Sequence, residues 1–342
     1  MAKVICFVDG LPFYHKRSVD SELNLSSGSI VPGLGFSSNQ HCYLLGGKSP
    51  DDMGFFTDWT KVENTRGSRF YLNHKYTSAY LANKVFGKIF GYGHSIPIGL
   101  HGVFVNNSVY PLKNKETLSS FNSLFEDWDF FIDDLAIEYL DKKRIRNNSF
   151  LVINSIDKYG HYSGPKSDTY MEELSNILTK LRYLIETEEV ELLLFSDHGM
   201  SNNPEPVDLY LEDSFGRQGK NSYFYFIDST TLKIWCRDKS LLKSISDHLA
   251  KLHYGVLLSE EDRCSHGIIN ENFGDLIFVL KNNWYFRDQY FGKGWKSKTK
   301  GMHGNWPDHI EQLGIYAMKG CEGEEVKTKD FYRNILMPFL TK

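Results

Sequence analysis

The sequence predicts an α/β protein with a mostly parallel central sheet, because it holds three short apolar runs and a helical pattern between two of them. The runs occupy residues 4–8, 150–153 and 192–195 and contain no charged residue. Strands of a parallel sheet are covered on both faces, so their sequences are apolar throughout instead of alternating. We therefore predict that the three runs are buried strands of one sheet.

The second and third runs are joined by a segment with the spacing of an amphipathic helix. Ser167 and Asp168 offer an N-cap at its start. A helix that connects two parallel strands forms a right-handed crossover, so we expect these two strands to run parallel in the sheet. The apolar residues at helical spacing are Leu174, Ile177, Leu178, Leu181, Leu184 and Ile185.

Two intervals look like additions to this sheet within a single domain of residues 1–342. Residues 62–135 are rich in aromatic residues, glycine and asparagine without clear strand–helix alternation, and we expect a lid or cap there. Residues 205–297 predict an inserted α+β subdomain. Its predicted elements are strands at 231–236 and 275–280 and a helix at 241–252.

Composition and charge exclude several classes of protein. Apolar residues make up 41% and charged residues 24%, as in globular proteins. The formal charge of −4 argues against a binder of nucleic-acid polymers, which normally carries a basic face. No apolar run approaches the roughly 20 residues of a membrane span, and the first run is too short for a signal peptide. With five cysteines and no paired spacing, we expect a reduced, cytoplasmic protein of unspecified oligomeric state.

Ionisable residues follow the predicted strands directly, where open α/β sheets bind their ligands. Asp9 follows the first run, and the pair Asp197 and His198 follows the third, where burial without a partner or a metal would be costly. Asp157 and His161 are four residues apart after the second run, so a helix would present both on one face. Carboxylates and imidazoles are the ligands that hold zinc or manganese, so this pattern indicates a metal site.

Four short motifs surround these candidates and a further one, His303, which lies in a glycine-rich loop. The motifs are Val8-Asp9-Gly10, Asp157-x-x-Gly160-His161-x-x-Gly164-Pro165, Ser196-Asp197-His198-Gly199-Met200 and Gly301-Met302-His303-Gly304. With them the chain resembles the alkaline phosphatase superfamily, most closely its nucleotide pyrophosphatase/phosphodiesterase branch, from residue 4 to about 305. The resemblance implies an alkaline-phosphatase-like three-layer sandwich around the mostly parallel sheet.

The resemblance also implies two divalent metal ions as cofactors. Zn²⁺ is expected, and the mixed carboxylate and imidazole ligands also suit Mn²⁺. Carried over residue by residue, the family pattern assigns one ion to Asp157, His161 and His303 and the other to Asp9, Asp197 and His198.

The nucleophile of the family is a hydroxyl or modified cysteine that precedes a helical Leu-x-Gly segment. Counting back from Gly47 by the family's spacing gives Ser37, with Ser38 as the alternative. Either serine would begin a helix, where free backbone N–H groups and the positive end of the helix dipole favour a phosphoryl group.

The sequence departs from the branch where a phosphate-binding asparagine is normally found. The matching position holds Asp58, whose carboxylate would repel a phosphate unless it is protonated or held by a cation. Asn39 and Lys48 are candidate substitutes for binding the phosphate. The three residues are therefore the predicted substrate-binding positions.

These observations predict a two-metal phosphodiesterase or phosphohydrolase with a serine nucleophile and a phosphoseryl intermediate. We expect a small-molecule phosphoester as its partner, first of all a nucleotide- or sugar-linked phosphodiester. The alternatives are a phosphomonoesterase, a phosphotransferase of the kind that moves phosphoethanolamine, or a non-catalytic metal-binding relative.

Overall fold

A seven-stranded sheet forms the centre of the computed structural model, which describes residues 2–35, 37–54, 56–57, 59–61, 104–106, 124–142, 147–219, 222–287 and 299–341. The strands in chain order are β1 (Ala2–Val8), β2 (Ser26–Val31), β3 (Trp59–Lys61), β4 (Phe104–Asn106), β5 (Asp129–Ile132), β6 (Ser149–Ile153), β7 (Val190–Phe195), β8 (Ser201–Asn202), β9 (Glu205–Val207), β10 (Tyr223–Asp228), β11 (Thr231–Cys236), β12 (Gly255–Leu257), β13 (Leu276–Leu280), β14 (Trp284–Phe286), β15 (Gly301–Met302), β16 (Gly314–Met318) and β17 (Glu325–Lys327).

The order of the central sheet is β17-β2-β16-β7-β1-β6-β5. The four adjacent strands β7, β1, β6 and β5 are parallel to one another, whereas β16 runs antiparallel to both β7 and β2. The three apolar runs of the sequence are thus the adjacent strands β6, β1 and β7, as a mostly parallel sheet requires. The predicted α/β class is confirmed.

Helices cover both faces of the sheet. They are α1 (Lys16–Leu23), α2 (Ser37–Gly46), α3 (Pro50–Met53), α4 (Asp134–Lys142), α5 (Ser155–Ser163), α6 (Asp168–Thr187), α7 (Glu212–Phe215), α8 (Lys239–Leu249), α9 (Glu260–Ser265), α10 (Thr328–Phe331) and α11 (Met337–Thr341), with a π-helical turn at Tyr332–Leu336 and 3₁₀ turns at Phe13–His15, Glu271–Phe273 and Ile310–Gln312.

One face of the sheet packs against α1, α4 and α6, and the other packs against α2 and the C-terminal helices. The longest helix, α6, buries the apolar positions that the sequence singled out, among them Leu174, Ile177 and Leu181. Its N-cap is Ser167, whose side chain accepts a hydrogen bond from the backbone of Tyr170. The predicted three-layer sandwich is therefore confirmed.

A second, four-stranded antiparallel sheet lies in the chain between β7 and β16. Its order is β10-β11-β13-β12, and α8 packs on it around a separate apolar cluster. The strand expected at 231–236 is β11, the one expected at 275–280 is β13, and the expected helix begins two residues early, at Lys239. These elements form the smaller α+β part of the fold, while the outer limits 205–297 stay a prediction.

The predicted lid at 62–135 falls mostly outside the described residues, which resume at 104–106 and 124. Within it, Asp129–Ile132 forms β5, one of the two edge strands of the described central sheet. The last part of this interval is therefore sheet, and a lid remains a prediction for the rest. Within the described ranges, no helix has the length and apolar character needed to cross a membrane.

Candidate metal centre

The end of β1 delivers Asp9 to the carboxyl edge of the sheet. The Asp9 backbone N–H donates to the Ile153 carbonyl at 2.9 Å, so the first and second predicted strands stay in register up to this residue. Gly10 follows with φ of +68°, and a Cβ on it would lie 3.0 Å from Asp157 Oδ1. Glycine thus allows the chain to turn closely past the Asp157 carboxylate.

The end of β7 delivers Asp197 and His198. The fully buried Asp197 accepts hydrogen bonds at Oδ1 from the backbone N–H groups of Gly10, at 3.3 Å, and His198, at 3.1 Å. His198 Nδ1 lies 2.9 Å from the Gly199 carbonyl. A carbonyl can only accept, so Nδ1 carries the proton and Nε2 keeps its lone pair for a metal.

Helix α5 carries Asp157 and His161 one turn apart, as their spacing predicts. His161 Nδ1 donates to the Gly301 carbonyl at 2.9 Å, which again leaves Nε2 as the available nitrogen, 3.4 Å from Asp157 Oδ1. Gly160 lies against Met200, where a Cβ would approach Sδ to 2.4 Å. The absence of a side chain at Gly160 therefore lets α5 pack close to the Asp197–His198 loop.

The loop after β15 delivers His303, which is buried. His303 Nε2 lies 3.6 Å from Asp157 Oδ1, and its ring stacks on that of His198 with centroids 3.7 Å apart and an interplanar angle of 7°. Burial, followed by the nearby charge of His198, lowers the pKa of His303 well below its ordinary value. A neutral imidazole is the form that binds a metal ion.

The six predicted ligands therefore converge on one site. Two groups have ligand atoms that all lie within 4.8 Å of one another, and His198 belongs to both. His161 adjoins the first group through its contact with Asp157. The two groups are Asp157, His198 and His303, and Asp9, Asp197 and His198.

The carboxylates of this site fit a bound cation. Burial, followed by the charges of Asp197 and Asp157, raises the pKa of Asp9 well above its ordinary value. Burial also opposes ionisation of Asp157 and Asp197, but the facing imidazoles outweigh it and lower both pKa values. One buried oxygen of each carboxylate accepts no hydrogen bond from the part of the chain that the structure describes. Three such oxygens next to imidazole nitrogens suit divalent metal ions.

Ser37 is the first residue of α2, and its Oγ lies 3.0 Å from His198 Nε2. The predicted hydroxyl therefore lies beside the group of Asp9, Asp197 and His198. The side chains of Ser38 and Asn39, and the whole of Asp58, lie outside the described residues. Lys48 follows α2 near Asp52, whose pKa is lowered by hydrogen bonds from Ser49 and, to a smaller extent, by the Lys48 charge.

His41 is a residue of this site that the sequence interpretation missed. It lies one helical turn after Ser37, with Nε2 3.6 Å from Asp197 Oδ2 and its ring edge-on to Phe7 at 5.0 Å. Its Nε2 is buried and makes no hydrogen bond within the described ranges. The four-residue spacing from Ser37 was the available signal, because it places both side chains on one face of α2.

Comparisons with known proteins identify one matching family model and solved structures of similar fold. Residues 47–306 match the family model described as type I phosphodiesterase / nucleotide pyrophosphatase. No curated protein sequence matches. Among solved structures, murine ectonucleotide pyrophosphatase/phosphodiesterase 5 is similar with a TM-score of 0.58, and the human protein with 0.59; each is 16% identical, over 100% of this chain and 95% of the other. An inactive threonine-to-alanine variant of the murine protein, in complex with AMP, is equally similar.

Proposed function

Since the chain belongs to the type I phosphodiesterase / nucleotide pyrophosphatase family and is thereby a hydrolase of phosphoester bonds, we propose that it cleaves a phosphodiester with Ser37 as its nucleophile. The observation that carries this proposal is the 3.0 Å distance between Ser37 Oγ and His198 Nε2 inside the cluster of candidate ligands. A hydroxyl in this position is next to the groups that would bind a cation and, with it, a phosphate.

The donor sets suit two divalent ions, first of all Zn²⁺. One would be held around Asp157, His161 and His303, and the other around Asp9, Asp197 and His198. Such ions, when bound, lower the pKa of a coordinated hydroxyl and neutralise the charge of a phosphate. The presence of two groups of ligand atoms, both of which include His198, supports a pair of neighbouring ions over one isolated ion.

In the proposed reaction the Ser37 oxygen attacks phosphorus, the bond from phosphorus to the leaving alcohol breaks, and that alcohol takes up the proton that the serine loses. The product is a phosphoseryl enzyme whose phosphoryl group keeps the second ester group. Water then cleaves the bond between phosphorus and the serine oxygen, which releases a phosphomonoester and returns a proton to the serine. Ser37 begins α2, a helix of ten residues, so the free N–H groups of its first turn favour the anionic group during both steps. In His198 and His161, the hydrogen bond from Nδ1 to a backbone carbonyl leaves Nε2 as the nitrogen that faces the reacting groups.

A nucleotide- or sugar-linked diester is the proposed substrate. Support comes from the family and from the AMP complex of the structurally similar murine variant. We further propose a lid within 62–135, subdomain limits of 205–297, and a cytoplasmic setting. The five cysteines are free thiols, which agrees with a reducing compartment.

Hydrolysis of bis-(p-nitrophenyl) phosphate and p-nitrophenyl phosphate, compared on protein loaded with zinc or with manganese, tests the proposal. We expect a higher kcat/KM for the diester, and Ser37→Ala as the inactive blank. A monoester preference would identify a phosphomonoesterase with the same site. Metal binding without either activity would favour a transferase, and failure to bind metal would favour a non-catalytic relative.

A further inference from the structure

A cavity of about 270 Å³ is lined in part by segments that flank Ser37 and His303 in the chain, and its described lining residues include none of the candidate metal ligands. Its size is near the lower end of small-molecule pockets, roughly 300–1,000 Å³. Part of its wall belongs to the α+β part of the fold and part to loops of the main sheet. The lining residues are Val31, Pro32, Gly33, Tyr43, Ser265, His266, Trp306, Pro307, Asp308, Lys327, Thr328 and Lys329.

Positive charge dominates this cavity. Lys327 and Lys329 line it, against the single carboxylate of Asp308. The two lysines flank Thr328, a buried residue whose hydroxyl donates to the Val31 carbonyl at 2.7 Å and ties this segment to β2. The backbone between the two ammonium groups is therefore fixed, and their stems start from a defined position.

Both lysines are exposed, and their charges act on His266, which also lines the cavity. Burial lowers the pKa of His266, the charge of Asp262 opposes this, and Lys327 and Lys329 lower it further. His266 is thus neutral at pH 7 and adds a hydrogen-bonding group without adding charge.

Aromatic rings form another part of the wall. The Trp306 ring meets His266 edge-on, with centroids 5.6 Å apart, and the Tyr43 hydroxyl donates to the His266 carbonyl at 2.7 Å. The Trp306 backbone N–H donates a hydrogen bond to the Leu280 carbonyl at 2.8 Å. Flat rings beside ammonium groups suit a ligand that has an anionic part and a small organic part.

Two walls of the cavity belong to segments that lie next to Ser37 and His303 in the chain. Gly33 is held to α2 by Gln40, whose side chain accepts from the Gly33 N–H at 2.9 Å and donates to the Gly33 carbonyl at 2.8 Å. Gln40 lies one turn after Ser37 and is 1% exposed. On the other side, Trp306 follows His303 by three residues. A ligand in the cavity would therefore contact both the segment that leads into Ser37 and the segment that follows His303.

We propose that this cavity is a second binding site, for a small phosphorylated anion, separate from the metal centre. The choice of phosphate rests on the proposed function, because cleavage of a diester leaves a phosphomonoester. The anion is paired by Lys327 and Lys329. It is either the released phosphomonoester, whose organic group would lie against Trp306, or free inorganic phosphate.

Isothermal titration of the full chain, freed of metal with a chelator, tests this site directly. Without metal the metal centre lacks the cations that would bind phosphate, so the titration reports the cavity. The probes are inorganic phosphate and AMP. We expect saturable binding that weakens at least tenfold in Lys327→Gln/Lys329→Gln and stays within twofold in Lys239→Gln/Lys319→Gln, a matched pair of exposed lysines elsewhere.

Equal weakening in both double variants, or no saturable binding by the parent protein, would overturn the proposal. Tighter binding of AMP than of phosphate would identify the phosphomonoester as the ligand, and equal binding would identify free phosphate. A ligand-induced change in tryptophan fluorescence that disappears in Trp306→Phe is the second expected result, and its persistence would also overturn the assignment. Neither the titration nor the fluorescence change requires turnover, so both results are independent of the diesterase assay.

Discussion

Ser37 and His198 lie 161 positions apart in the chain, yet the serine Oγ and the histidine Nε2 are 3.0 Å from each other. One residue begins α2 and the other follows β7, so this contact joins the helix on one face of the sheet to the sheet's carboxyl edge. The same imidazole stacks on His303 and faces Asp9 and Asp197. The Ser37–His198 contact therefore places the hydroxyl inside the ligand cluster.

Ser37→Ala is expected to reduce kcat by roughly 10³-fold or more, because loss of a nucleophile removes the covalent route. Ser38→Ala is the matched control and should keep kcat within a few-fold. Mass spectrometry of acid-quenched reactions should find a phosphorylated peptide containing Ser37. A phosphopeptide that persists in Ser37→Ala and disappears in Ser38→Ala would assign the nucleophile to Ser38 instead.

Asp157→Asn is expected to remove one of two bound metal equivalents, because its Oδ1 faces both His161 and His303. Loss of a residue that binds the ion directly should weaken the binding of that ion by at least about 100-fold. Loss of a hydrogen bond that only supports such a ligand has a smaller effect. Metal analysis after dialysis against zinc measures the stoichiometry. The exposed Asp213→Asn serves as control, and an unchanged content of two ions in Asp157→Asn would contradict the assignment.

His41→Leu is expected to lower kcat by about 10- to 100-fold while leaving the fold intact, because His41 faces the Asp197 oxygen that other described residues leave without a hydrogen bond. Leucine keeps much of the packing against Phe7. Steady-state kinetics and a thermal unfolding curve on the same sample separate the two effects. A large fall in Tm with unchanged kcat would give His41 a structural role only.

Gly199→Ala is expected to lower the free energy of unfolding by about 1–3 kcal/mol, as other substitutions that overpack a core do. A Cβ at this position would lie 2.3 Å from the Glu311 carbonyl and 2.5 Å from the Leu313 carbonyl, both of them backbone atoms. Urea unfolding measures the free energy of unfolding. Gly219→Ala is the comparison, since a Cβ there has its nearest contact at 3.7 Å, and similar losses in both variants would refute the steric explanation.

The burial of His15 predicts that the free energy of unfolding falls in acid. Burial lowers the pKa of His15 to about 4, partly opposed by its hydrogen bond to the Pro165 carbonyl. The folded pKa is below the unfolded value, so the neutral form stabilises the fold above about pH 6.5, and this stability is lost as the pH falls toward 4. The loss amounts to about 3 kcal/mol, at 1.36 kcal/mol per pKa unit.

His15→Phe should flatten this acid dependence of the unfolding free energy between pH 6.5 and 4. The exposed His253→Phe should leave it unchanged. Urea unfolding at several pH values gives both curves, and parallel curves for the parent and His15→Phe would show that another group is responsible.

The strands and ligands identified from the sequence are those that a short stretch of neighbouring residues marks clearly. The runs at 4–8, 150–153 and 192–195 are apolar because sheet and helices cover them on both faces, so composition alone marked them. β2 escaped notice because Ser27 and Ser29 are buried in it as polar residues, and β5 because it lies at the edge of the sheet. Local composition does not record such positions.

Spatial pairing was harder to predict than residue identity. His41 was missed because its partner Asp197 is far away in the chain, and the four-residue spacing from Ser37 places His41 on the same face of α2 without naming that partner. The family pattern assigns His198 to one ion only, whereas its ring lies between both groups of ligand atoms. The distribution of ligands between two ions depends on how β1, α5 and β15 meet, which only the fold determines.

The packing of α2 has a consequence for when the protein becomes active during its synthesis. Leu44 of α2 lies in the same apolar cluster as Phe331, Leu336 and Phe339. A growing chain that has not yet reached these residues exposes that side of α2 and lacks one of the surfaces that position Ser37. Assembly of the site therefore waits for residues 331–339, and chains that stop before them are expected to be less active toward phosphoesters.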